Sequence, residues 1–119
     1  MANDTPWPSE IRLAPDKAHL KIAFESGEHF VLAAEYLRVE SPSAEVQGHS
    51  AEQKQIVGGK RAVKIAALEP VGNYAVRIVF DDGHDSGLFS WSYLCELGRE
   101  HRTKWPAYLK ALKDRRLER

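Results

Sequence analysis

Two stretches of this sequence resemble one another: Leu20-Lys21-Ile22-Ala23-Phe24-Glu25-Ser26-Gly27 and Val76-Arg77-Ile78-Val79-Phe80-Asp81-Asp82-Gly83. In each, large apolar residues occupy every second position and an acidic turn ending in glycine follows. An alternation of period two places one set of side chains on one face of a strand. The closing glycine supplies the positive φ that a tight turn needs. After each block come a short strand and a Tyr-Leu pair, Tyr36-Leu37 and Tyr93-Leu94. Two strand–turn–strand–helix units predict a pseudo-duplicated sheet flanked by helices. Plain recurrence of hairpin chemistry accounts for the same pattern, and both explanations stand at this point.

The remaining segments fill in an α+β domain built on a small, mostly antiparallel sheet. Residues 1–10 contain Pro6 and Pro8 and read as an extended arm, with a single domain over residues 11–119. Ile11 to Leu13 carry strand signals, and Phe30 and Leu32 continue the first hairpin. Residues 33–37 suit one or two helical turns. Strand character returns at Val63, Ile65 and Leu68, ends near Pro70, and resumes briefly at Leu88 and Phe89. Ser90 is placed to cap a helix with Trp91, Leu94, Cys95 and Gly98 on one face. Pro106 is expected in the first turn of a last helix whose apolar face is Trp105, Tyr108, Leu109 and Leu112. Residues 40–60 are rich in Gly, Ser and Gln and read as a long loop, mobile for want of apolar anchors. Ile22, Phe24, Ile78, Phe80, Trp91 and Leu94 are expected to share one core.

Composition narrows the function classes. Seventeen Lys and Arg balance 17 Asp and Glu, so the formal net charge is zero. A nucleic-acid binder usually shows a basic excess or stripe, and none is present over the whole chain. The last ten residues carry five basic and two acidic side chains, read as the solvated face of a terminal helix. Cys95 is the only cysteine, which rules out an internal disulfide and a multi-cysteine zinc site. It falls on the packing face of a helix and is expected to be an inert buried thiol. No apolar run reaches the ~20 residues of a membrane span, and the first residues lack a secretory pattern. The expected setting is the cytoplasm, with a protein partner and neither nucleic acid nor membrane.

Candidate chemistry centres on histidine. None of His19, His29, His49, His84 and His101 has an acid two residues on, so the His-x-Asp/Glu half of a non-haem iron site is missing. The P-loop and the Gly-x-Ser-x-Gly elbow are absent as well. His84 lies in the acid-dense turn Phe80-Asp81-Asp82-Gly83-His84-Asp85-Ser86-Gly87. One imidazole beside those carboxylates can take a divalent cation; read as hairpin chemistry alone, His84 simply starts the next strand. His49 shares its loop with Glu45 and Glu52, and His49 and Glu45 converge only if that segment is helical.

The segments Leu37-Arg38-Val39-Glu40-Ser41-Pro42-Ser43-Ala44-Glu45-Val46-Gln47-Gly48-His49, Glu69-Pro70-Val71-Gly72-Asn73-Tyr74-Ala75-Val76 and Phe80 to Gly87 resemble the DUF971 family, the gamma-butyrobetaine hydroxylase-like N-terminal domain, over residues 11–98. Members stand ahead of a hydroxylase catalytic domain, are appended to iron–sulfur carrier proteins, or occur as short stand-alone chains, which this one resembles. In the hydroxylases the resemblance implies a structural zinc on a Cys-x-Cys-x-x-Cys cluster and a later histidine. Those positions fall here on Ser41, Ser43, Val46 and His84, so three thiolates are gone. The resemblance therefore implies the fold and a loop near residues 41–49 close to the turn at His84. Neither zinc nor hydroxylase activity follows from it. The expected function is a non-catalytic accessory or interaction module, with iron–sulfur carrier proteins among the partners the resemblance implies. The alternative is a metal-binding protein with a remodelled site, His84, His49 and Glu45, for zinc, nickel or iron.

Overall fold

The computed structural model describes residues 6–48 and 54–119. The two alternating blocks become β2 (His19–Phe24) and β5 (Ala75–Phe80), each the middle strand of its own antiparallel sheet. In the first sheet β2 lies between β1 (Pro8–Leu13) and β3 (His29–Ala33). In the second, β5 lies between β4 (Ile65–Val71) and β6 (Leu88–Ser90). The single sheet expected from the sequence is thus two three-stranded sheets. Nor does the N-terminal arm stay unpaired: Pro8 already faces Phe24, so the first strand begins before Ile11.

Each unit ends in a helix. The first runs into α1 (Ala34–Val39), then the one-turn α2 (Ala44–Gln47). The second runs into α3 (Trp91–Arg99), whose Ser90 cap accepts a hydrogen bond from the Tyr93 N–H as expected, and then α4 (His101–Asp114). The paired tyrosines explain the repeat. The buried Tyr36 hydroxyl donates to the Leu97 carbonyl across the interface at 2.7 Å. The Tyr93 hydroxyl returns the contact, donating to the Glu40 carbonyl. Tyr36 and Tyr93 are 57 positions apart, and so are Glu40 and Leu97. Such a reciprocal exchange is what a pseudo-twofold between two units produces, and hairpin recurrence alone would not place it there.

The apolar faces of both sheets meet in one core. Ile22, Phe24, Ile78, Phe80, Trp91 and Leu94 all belong to it, together with Leu20, Ile65, Phe89 and Leu97. Cys95 is buried in the same cluster, and burial raises its thiol above the ordinary range, which fits an inert side chain. Gly98 sits where α3 crosses β3, and a Cβ there would run into the Phe30 ring. Gly98→Ala is therefore expected to destabilise the fold by about 1–3 kcal/mol, the usual cost of overpacking. Chemical denaturation checks this, and unchanged stability would contradict the close approach.

Three expectations from sequence need correction. Residues 40–60 are not an unanchored loop in their described parts. Val46 is buried at 2%, and Ile56 and Val57 pack on a second small core of Val39, Tyr108 and Leu112. The Tyr108 hydroxyl also donates to the Val57 carbonyl at 2.6 Å. Next, α4 starts at His101, so Pro106 lies inside the helix rather than in its first turn, and Leu109 is 38% exposed. The early start follows from α3 running almost directly into α4, with only Glu100 between them. Finally, the basic tail is not wholly solvated. Arg119 donates to both oxygens of buried Glu35 at 2.8 and 3.1 Å and stacks its guanidinium over Trp105.

Candidate functional site

The junction between the end of α1 and the β5–β6 turn gathers most of the buried polar groups. Phe80-Asp81-Asp82-Gly83 closes as a turn, with Gly83 at φ 92° and the Phe80 N–H donating to the His84 carbonyl at 2.9 Å. Asp82 Oδ1 accepts from the His84 N–H at 3.0 Å. These contacts aim the imidazole inward, where its side chain is only 3% exposed. On the facing segment, Ser41 is fully buried, and Ser43 caps α2 by accepting from the Glu45 N–H at 3.1 Å.

The side chains form a closed ring. His84 Nε2 lies 3.0 Å from Ser41 Oγ, and its Nδ1 lies 3.3 Å from Glu45 Oε2. A carboxylate only accepts, so Nδ1 carries the proton and a neutral Nε2 accepts from the Ser41 hydroxyl. Ser86 Oγ donates to the other Glu45 oxygen at 3.2 Å, and Ser43 Oγ reaches Ser86 Oγ at 2.8 Å. The Ser43 N–H donates to Ser41 Oγ at 3.3 Å and closes the circuit. Gly87 is pressed against it: a Cβ there would come within 2.5 Å of Ser41 Oγ.

Beside the ring lies a charge cluster. Asp82 Oδ2 accepts from Arg38 Nε at 2.8 Å and from Lys60 Nζ at 2.7 Å. Burial works to raise the Asp82 carboxyl, but the hydrogen bonds from Lys60, the His84 N–H and Arg38 win and hold it at about 2. The buried Arg38 Nη1 has no hydrogen-bond partner among the described residues. For His84, burial first and the Arg38 charge second lower the imidazole below 6.5, outweighing the opposite pull of Glu45 and Asp82.

That shift has a sign in stability. The unfolded chain binds a proton near 6.5 that the folded chain refuses, so folding is fully favoured above that pH and weakens as pH falls below it. Denaturation midpoints are expected to drop between about pH 7 and pH 5. His84→Gln should flatten that part of the profile, and an equal slope in both proteins would contradict the assignment.

The sequence-derived residues divide. Glu45 and His84 are brought together; His49, like Glu52, lies outside the described residues. Asp85 turns away, its carboxylate 3.5 Å from Arg77. Ser86, Arg38 and Lys60 were not singled out from the sequence. Ser41 and Ser43 were marked only as positions where relatives carry cysteine, and that alignment was the signal that could have found them.

The donor set does not fit the relatives' zinc. Positions 41, 43 and 46 offer two hydroxyls and an isopropyl group, and both His84 nitrogens are already engaged. No group of three or more His, Cys, Asp or Glu converges among the described residues. Ser41–His84–Glu45 does have the connectivity of a serine nucleophile, base and orienting acid. Ser41 Oγ, however, is fully buried against Gly87, with no room for an acyl group. The ring joins two segments and engages both His84 nitrogens and the buried Ser41 hydroxyl.

Comparison with known proteins gives a consistent picture. A family model described as gamma-butyrobetaine hydroxylase-like, N-terminal, matches residues 11–95. A protein of unknown function from Acidithiobacillus ferrooxidans, assigned to the DUF971 family, has a crystal structure that is 38% identical with a TM-score of 0.64, covering 76% of this chain and 91% of its own. Two structures solved by NMR in solution are 42% and 44% identical, each with a TM-score of 0.83. They cover 97% and 100% of this chain and 90% of their own. No curated protein matches the chain.

Proposed function

The chain belongs to the gamma-butyrobetaine hydroxylase-like N-terminal family, and from that premise we propose that it is a non-catalytic accessory module that works by binding a protein partner. The observation that carries this reading is the closed ring at the buried polar junction around His84. Its histidine has both nitrogens satisfied and its serine is buried, so the groups best suited to chemistry serve to hold the fold. Partners of the iron–sulfur carrier or hydroxylase type go with the settings in which the family's domain is found. A cytoplasmic location goes with the same reading, and among the described residues no helix is long and apolar enough to cross a membrane.

The test is affinity capture from the native organism with the intact chain as bait, run beside a turnover assay with 2-oxoglutarate and gamma-butyrobetaine. One or a few proteins enriched in stoichiometric amounts, with no turnover, is the expected result. Coupled turnover, or the absence of any specific partner, would overturn the reading.

A second reading has one observation in its favour: Glu45 and His84 do meet, at 3.3 Å. With His49 they would make a mixed nitrogen and oxygen site for zinc, nickel or iron(II). For that site to form, His84 must give up its bond to Ser41 or Glu45.

A further inference from the structure

The C-terminal end of α4 carries a feature that the polar junction does not use. Leu109, Leu112 and Leu117 line an open groove of about 480 Å³ together with Arg61, Lys113, Glu118 and Arg119. Leu109 and Leu117 are 38% and 42% exposed, among the few large apolar side chains left in solvent. The groove's shape is fixed from both sides. The Gly59 N–H donates to the Glu118 carbonyl at 2.8 Å, and Gly58 lies so close to that carbonyl that a Cβ would come within 2.7 Å of it.

The helix end is built to present this surface. Leu117 N–H donates to the Leu112 carbonyl at 2.8 Å and Arg116 N–H to the Lys113 carbonyl at 3.1 Å, which folds Leu117 back over the helix. That motif needs a left-handed residue, normally glycine, yet the position is Arg116 at φ 57°. The chain accepts backbone strain where glycine would remove it and keeps a cation at the turn.

The groove also carries charge beside its leucines. The protein is neutral as a whole, but the groove's Arg61 and Lys113 form no ion pair among the described residues. Arg119 is taken up by Glu35, and Glu118 is the only carboxylate lining the groove. An apolar floor with an uncompensated cationic rim is complementary to an acidic segment that carries apolar anchors. The floor is aliphatic and offers no aromatic face for a base to stack on, which favours a peptide over a nucleic acid.

We propose that this groove docks an acidic, leucine-bearing peptide segment of a partner protein. It rests on the reading of the chain as a binding module and names the surface and the partner chemistry. The test is fluorescence anisotropy with a labelled Asp/Glu-rich peptide carrying two leucines, measured against the whole chain. Saturable binding that falls at least about tenfold in the exposed-site variants Arg61→Glu and Lys113→Glu is expected. The thermal midpoints of both variants should match that of the parent chain, so that lost affinity cannot be a folding defect.

Failure to bind the peptide, or unchanged affinity in the charge-reversal variants, would overturn the proposal. So would equal affinity for the same peptide with its leucines replaced by serine, or for a single-stranded oligonucleotide of equal charge. If affinity capture still returns a partner and Arg61→Glu retains it, the docking surface is wrong while the module reading survives.

Discussion

Replacing Leu94 with alanine is expected to cost the fold roughly 2–5 kcal/mol, the usual range for truncating a fully buried leucine. Leu94 is completely buried in α3, in the cluster to which both sheets contribute. Among the described residues no strand of one sheet pairs with a strand of the other, so beyond a few bonds such as those of Tyr36 and Tyr93 their association depends on apolar side chains such as this one. Neighbours from opposite units cannot all collapse into the space a lost isobutyl group leaves. Denaturant unfolding reads the loss directly. A change below about 1 kcal/mol would show that the helix face has room to relax and that the core is not shared as described.

His84→Ala is expected to cost about 2–4 kcal/mol, by a different route. The imidazole is nearly enclosed, with the Phe80 ring 6.0 Å away, so its removal leaves a space. Ser41 Oγ, fully buried, loses the acceptor of its hydroxyl proton. Glu45 is 70% exposed and recovers water, so it adds little to the loss. The same unfolding measurement at pH 7 applies, and a loss under about 1 kcal/mol would mean the ring contributes little.

The strands were legible because they are short and alternate cleanly. Ile22 and Phe24, and Ile78 and Phe80, point inward from the two central strands as the period of two required. Periodicity could not show that the strands divide into two sheets, because both arrangements bury the same face. The reciprocal Tyr36 and Tyr93 bonds settle the repeat, and they depend on carbonyls some 60 and 50 residues away in sequence. The anchoring of residues 40–60 was missed because single apolar residues such as Val46, Ile56 and Val57 make no periodic pattern. Pro106 misled because proline favours a first turn, whereas here the helix tolerates it further in.

The candidate site was half visible. Alignment on the family's motifs brought residues 41–46 to the turn at His84, and the structure joins them at 3.0 Å between Ser41 and His84. What those residues do once joined was not legible, since serine in place of cysteine reads as a loss. In three dimensions the hydroxyls, with Glu45 and Ser86, complete a hydrogen-bonded circuit that needs no ion. Arg38 and Lys60 escaped notice because a lone cation in a sequence says nothing of the carboxylate it meets, here Asp82.

The account turns on that circuit holding the loop to the turn in place of a metal. A calorimetric titration of zinc into the metal-free chain tests it most directly. The account predicts no saturable uptake tighter than about 1 mM, the weak end of specific binding. Stoichiometric zinc uptake at micromolar or lower concentration, abolished by His84→Ala, would contradict it.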